Sequence, residues 1–105
     1  YITSVEPKEK KGPHLHTERN SFFTCIQGEV TFIIKDSKNI FHEIKMSEDK
    51  PQLIFIPKGI PAAHINTGTV TGKILALADI SWKPDSTEMK NVKFDDYKWE
   101  KWFNT

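Results

Sequence analysis

Between residues 21 and 80 the chain alternates apolar and polar side chains with a period of two, and no window there keeps apolar residues at i, i+3, i+4 and i+7. Such a segment has no apolar stripe to offer as a helix and can bury its hydrophobic half only as strands. Residues 22–26 read as a strand stopped by Gln27-Gly28, with residues 30–34 restarting at once, so Gly28 is expected to close a tight hairpin. Asp36-Ser37-Lys38-Asn39 forms a second polar turn before an alternating strand over residues 40–46. A charged loop containing Pro51 leads to a short apolar strand at residues 53–56, closed by Pro57-Lys58-Gly59-Ile60-Pro61. Residues 62–66 and 73–80 supply two further strands on either side of a Thr/Gly-rich loop. Strands recurring about every 8 to 12 residues predict an all-β fold, a small antiparallel barrel or sandwich.

After Trp82 the alternation ends. All three tryptophans, Phe94, Tyr97 and Phe103 lie in a charged tail. Rings of that size bury surface, so the tail is expected to pack across the outside of the barrel, with one short helix near residues 95–102. At 105 residues the chain has room for one domain, a barrel over about residues 1–81 and a packing tail over 82–105. Fifteen basic residues against fourteen acidic ones, with no block of either sign, argue against the basic face that a nucleic acid requires. No apolar run approaches the roughly 20 residues of a membrane span, and no signal-peptide pattern opens the chain, so no membrane contact is expected. The single cysteine, Cys25, cannot make an internal disulfide, fits a reducing cytoplasm, and alternates with Phe23 as a core residue. Tyr1 in place of a methionine points to residues upstream.

The chemistry concentrates at Gly12-Pro13-His14-Leu15-His16. In an extended chain His14 and His16 share one face and Leu15 takes the other. His64 lies on another expected strand, and a barrel can bring the three imidazoles to one cavity. Their ordinary pKa near 6.5 suits either acid/base work or metal ligation, and hydrogen-bonded structural histidines are the plainer alternative. Lys11 and Arg19 flank the pair and are candidate phosphate contacts, Arg19 through its planar fork. Lys58, at the mouth of the Pro-Lys-Gly turn, is a third.

These residues, in this order, resemble the cupin superfamily. Its first motif runs glycine, five residues, His-x-His, three or four residues, Glu, six residues, Gly, and its second centres on Pro-x-Gly, two residues, His, three residues, Asn. Here the first stands as His14-Leu15-His16 with Gly28, and the second as Pro57-Lys58-Gly59 followed by His64 and Asn66. Ser21 occupies the place of the metal-binding glutamate, and Ala62 stands where the second-motif histidine would fall. Within that superfamily the chain is similar to the dTDP-4-dehydrorhamnose 3,5-epimerases and the dTDP-4-keto-6-deoxyglucose 3,4-ketoisomerases. Lys11-Gly12-Pro13-His14-Leu15-His16 resembles the ketoisomerase Arg-Gly-x-His-x-His, and Ile56-Pro57-Lys58-Gly59 resembles their Ile-Pro-x-Gly turn. Trp82-Lys83-Pro84, Glu88, Phe94-Asp95-Asp96 and Trp99 come in the same order as in the epimerase ending.

The resemblance implies a metal-free cupin barrel without a cofactor that epimerises or isomerises a nucleoside-diphosphate-linked 4-keto-6-deoxysugar through an enolate. It implies His14 as the general base, Asp96 as its orienting carboxylate, and His16 as a second acid/base. Lys11, Arg19, Ser21, Lys58, His64 and Asn66 are then the substrate contacts. The position of the epimerase's general-acid tyrosine falls near Ala76, which leaves Tyr1 and Tyr97 as the chain's phenols. A homodimer is implied as well, since related enzymes pair and strand edges need cover. Two other readings stay open: a non-catalytic sugar-nucleotide-binding or scaffold module, and a metal-dependent cupin using His14, His16 and His64.

Overall fold

The computed structural model describes residues 1–80 and 87–103, and its regular secondary structure is nearly all β. The strands are β1 (Ile2–Val5), β2 (Lys10–His16), β3 (Ser21–Gln27), β4 (Glu29–Lys35), β5 (Phe41–Ser47), β6 (Ile54–Ile56), β7 (Ala62–Asn66), β8 (Gly72–Ala78) and β9 (Met89–Asn91). One short helix, α1 (Glu100–Phe103), ends the described chain, at the far end of the window where a helix was expected. All pairings are antiparallel and fall into two sheets, β1-β8-β3-β6 and β5-β4-β7-β2-β9. The hydrogen bonds run within two separate sheets, so the barrel is a two-layer jelly roll.

The core fills the space between the layers with Val5, Cys25, Val30, Phe32, Met46, Ile56 and Ile74. Cys25 is buried there, and burial pushes its thiol above the usual range. β4 and β7 carry buried residues on both faces. Phe32 points to the core, while Ile33, Ala63 and Ile65 point outward under Phe94. Around Phe94 stand Phe41, Tyr97, Trp99 and Trp102, with Phe94 and Trp99 stacked at 6.1 Å between ring centres. This explains the aromatic tail: residues 92–102 supply the second apolar surface that the five-stranded sheet needs. Trp82, Lys83 and Pro84 of the tail lie outside the described residues.

Two expectations are corrected. Gly28 does not close a hairpin, because β3 and β4 lie in opposite sheets. Its φ of 75° bends the chain from one layer to the other, and a Cβ there would meet Thr71 O at 3.1 Å. The hairpin proper is β4–β5, where Asp36 accepts from the backbone N–H groups of Lys38 and Ile40 and Asn39 takes a φ of 62°. Nor is the tail wholly an outer annex. β9, three exposed residues with no apolar alternation, extends the sheet by pairing with β2: His14 with Asn91 and His16 with Met89.

Candidate functional site

A cavity of about 860 Å³ opens between the sheets, and His14, His16 and His64 all line it. Its other polar lining residues include Lys11, Arg19 and Glu88, and its apolar wall includes Phe23, Ile56 and Ala76. This volume lies within the roughly 300–1,000 Å³ range of small-molecule sites. A backbone irregularity creates the polar wall. Strict alternation would send Lys11 and His14 to opposite faces, three residues apart. The register of β2 against β7 shifts between them, with Lys11 opposite His64 and His14 opposite Ala62, so both side chains line the cavity. Gly12 makes that bulge possible: its φ is 87°, and a Cβ would lie 2.9 Å from Ala62 O. The Pro57–Gly59 turn then braces the strand end, Gly59 N donating to His16 O at 2.8 Å.

The best-defined pair in the cavity is His16 with Glu88. Nδ1 of His16 lies 2.9 Å from each carboxylate oxygen, and the Glu88 side chain is 3% exposed. A carboxylate only accepts, so Nδ1 carries a proton, and in the neutral ring Nε2 is the atom left with a lone pair. The backbone N–H of Arg19 donates to Glu88 at 3.1 Å, and the Arg19 guanidinium Nε stands 3.6 Å away. Burial works to raise the Glu88 pKa, but the His16 hydrogen bond, the Arg19 N–H and the nearby positive charges outweigh it and hold the carboxyl below its usual range. Glu88 is thus a buried anion that orients one imidazole and neutralises one arginine.

The other two histidines are held neutral. Burial, with the charge of His16 behind it, lowers the His14 pKa. His64 packs against Phe32, 5.1 Å between ring centres, and its Nε2 is buried with no hydrogen-bond partner among the described residues. Burial, then the charges of Lys11 and His14, lowers its pKa to about 4. Lys11 Nζ donates to Thr3 Oγ1 at 3.2 Å beside them.

Several expected site residues stand elsewhere. Asp96 cannot orient His14: it is 66% exposed on the tail, 3.7 Å from Lys35 Nζ. Asn66 is a buried staple, its Nδ2 donating to Val5 O and Val70 O at 2.8 Å each while Gly68 N donates to its Oδ1. Ser21, 4% exposed, and Lys58, in a turn fastened through its backbone N–H to Asn20 Oδ1, lie outside the cavity lining. Tyr97 is also remote, its hydroxyl donating to Glu43 on the outer aromatic cluster; burial and that carboxylate push its pKa up to about 12. Glu88, absent from the expected site residues, sits 72 positions from His16 with no spacing signal linking them. Among the described residues no three His, Cys, Asp or Glu side chains converge to hold a metal ion. No step is assigned to a metal.

A family profile described as FdtA, WxcM-like, C-terminal, matches residues 1–99. The spore coat polysaccharide biosynthesis protein SpsL of Bacillus subtilis (strain 168) is 25% identical over 92 residues, covering 82% of this chain and 61% of its own length. Among solved structures, a dTDP sugar isomerase from Desulfovibrio desulfuricans G20 superposes with a TM-score of 0.85 at 18% identity, over 95% of this chain and 69% of the other. The capsular polysaccharide assembling protein CapF from Staphylococcus aureus gives 0.82 at 19% identity, over 88% of this chain and 27% of its own. The fold is therefore shared with the two solved structures, and the chain spans less than two thirds of SpsL and about a quarter of CapF.

Proposed function

We propose that this chain, which belongs to the family described as FdtA, WxcM-like, C-terminal, epimerises or isomerises a nucleoside-diphosphate-linked 4-keto-6-deoxysugar by removing a proton from the carbon beside the ketone. One observation carries the reading: His16, which lines a cavity of small-molecule size, is held through Nδ1 by the buried Glu88. That is the arrangement of a general base with its orienting carboxylate. The base role therefore moves from His14 to His16, and the carboxylate role from Asp96 to Glu88. Nε2 of His16 takes the carbon-bound proton, and Glu88 stabilises the imidazolium that forms. Neutral His14, two residues along the same strand, exchanges a proton with the enolate oxygens, and the unpartnered Nε2 of His64 hydrogen-bonds the sugar. Lys11 offers positive charge to the enolate or diphosphate, whereas Arg19 is already engaged by Glu88. The apolar wall of Phe23, Ile56 and Ala76 suits the deoxygenated edge of the ring. The reaction proceeds in the cytoplasm, a placement supported by the buried free thiol of Cys25.

The assay is solvent deuterium washing into dTDP-4-keto-6-deoxyglucose, read by NMR. His16→Asn should lower the exchange rate by about 100- to 10,000-fold with the fold intact, and Glu88→Gln by at least about 10-fold. Wild-type protein that binds the nucleotide sugar without exchanging it would favour a binding module.

We also propose a homodimer. The outer face of the four-stranded sheet exposes Ile2, Phe22, Ile26, Leu53, Phe55 and Leu77, with the Phe22 and Phe55 rings 4.9 Å apart. Together they expose on the order of 600 Å² of apolar surface, close to the roughly 800 Å² each partner buries in a standard interface. The chain's own tail covers the opposite sheet, which leaves this face for a second copy.

A further inference from the structure

Arg19 joins the cavity lining from the loop between β2 and β3, and that loop is pinned on both sides of it. Before it, Thr17 donates its backbone N–H to Glu88 O at 2.8 Å and its hydroxyl to the same oxygen at 3.1 Å. After it, Asn20 donates through N and Nδ2 to the Asp79 carboxylate at 2.9 and 2.7 Å, and its Oδ1 accepts from Lys58 N. The backbone of Arg19 is therefore a fixed support for a side chain that is 11% exposed.

The engagement of that side chain by Glu88 is one-sided. Nε stands 3.6 Å from Oε1 of Glu88, buried and without a hydrogen bond of its own. The two NH2 groups bond nothing among the described residues, and they are not buried. A guanidinium is a planar fork whose outer donors match the paired oxygens of a phosphate. The other permanent cation on the described lining, Lys11, already gives a bond to Thr3. An unmade bond on a buried donor is costly, and an anion on the NH2 groups fixes the guanidinium plane that Nε needs to close on Glu88.

We infer that Arg19 couples the two ends of the substrate: its NH2 groups take the diphosphate, while its Nε and backbone N–H hold Glu88, the carboxylate that orients His16. The inference rests on the proposed substrate class and on His16 as the base. Arg19 reaches that base only through Glu88, so in proton transfer it is a positioning residue. Its backbone N–H donates to Oε1 at 3.1 Å, and Nδ1 of His16 meets the same oxygen at 2.9 Å. A change at the guanidinium is thus passed to the imidazole through one carboxylate. Binding of the diphosphate, remote from the ketone, thereby helps to set the base. A lysine offers one point charge without the fork and cannot serve the carboxylate and the phosphate in one plane.

The test titrates dTDP into the full chain, as wild type, Arg19→Gln and Arg19→Lys, and reads the Nδ1–H proton of His16 by NMR. In wild type dTDP is expected to shift that proton, and in either variant to leave it in place even at saturation. In the deuterium wash-in assay Arg19→Gln should raise KM by about 10-fold or more and lower kcat by about 10-fold or more. A rise in KM alone would make Arg19 a diphosphate contact only and overturn the coupling. A His16 proton that saturating dTDP leaves unmoved in wild type overturns it as well, and that measurement needs no variant to fold. So does an equal shift in Arg19→Gln, since the anion would then reach the base without the fork. Full recovery in Arg19→Lys reduces the effect to charge and overturns the two-sided assignment. The titration needs no turnover: the expected shift without any wild-type exchange sinks the proton-abstraction reading and supports the coupling, whereas failure of wild type to bind dTDP overturns both.

Discussion

Lowering the pH should expose the cost of keeping His64 uncharged. In the unfolded chain its imidazole takes a proton at its ordinary pKa of 6.5, whereas in the fold burial, Lys11 and His14 hold it off until about pH 4. The folded state therefore binds fewer protons between those limits. Its contribution to stability is complete above pH 6.5, declines as the pH falls, and stops changing once both states are protonated below about 4. From the two pKa values, the folded state loses about 2 kcal/mol at pH 5 and about 3 kcal/mol at pH 4 through this group alone. Urea unfolding of wild type and His64→Gln at several pH values isolates it. The carboxylates of Glu88 and Asp36, also held low, titrate in both proteins, and the packing lost against Phe32 is a constant offset. Wild-type stability should fall more steeply than that of the variant, by about 1.2 kcal/mol per pH unit between pH 6 and 4.5. Proton NMR of the His64 ring should show a midpoint near 4. Parallel stability curves, or a ring that titrates near 6.5, would refute the reasoning and with it the neutral hydrogen-bonding role of His64.

Two further perturbations test the scaffold. Gly12→Ala forces a Cβ to 2.9 Å from Ala62 O at a φ of 87°, and should cost about 1–3 kcal/mol, lowering the melting temperature by about 4 °C or more; an unchanged melting curve would mean that the β2 bulge tolerates a side chain. Phe55→Lys places a charge in the exposed apolar face of the four-stranded sheet and should convert the expected dimer to monomer by light scattering with the thermal unfolding largely unchanged; a dimer that persists would move the interface elsewhere.

The sequence alone determined the class of fold, because a period of two leaves a chain no way to bury its apolar half except in sheets. Residues 62–66 were readable as a strand to the residue, and the aromatic tail was readable as something that packs, since rings of that size do not stay in water. His14 and His16 were readable as sharing a face because two residues of extended chain separate them. Pairing between distant segments leaves no comparable trace in a local pattern. Gly28 looked like a hairpin because the residues around it do not say which sheet the next strand joins. The facing of Lys11 with His14 depends on a bulge that is defined only against β7, and Glu88 becomes the partner of His16 only when β9 closes onto β2, 72 residues along the chain. Asp96 lies close to the same tail in sequence, yet the turn after β9 carries it outside to Lys35. Strand propensity is a property of neighbours in sequence, whereas an ion pair in a cavity is a property of neighbours in space, and only the pairing of β9 with β2 brought Glu88 rather than Asp96 to His16.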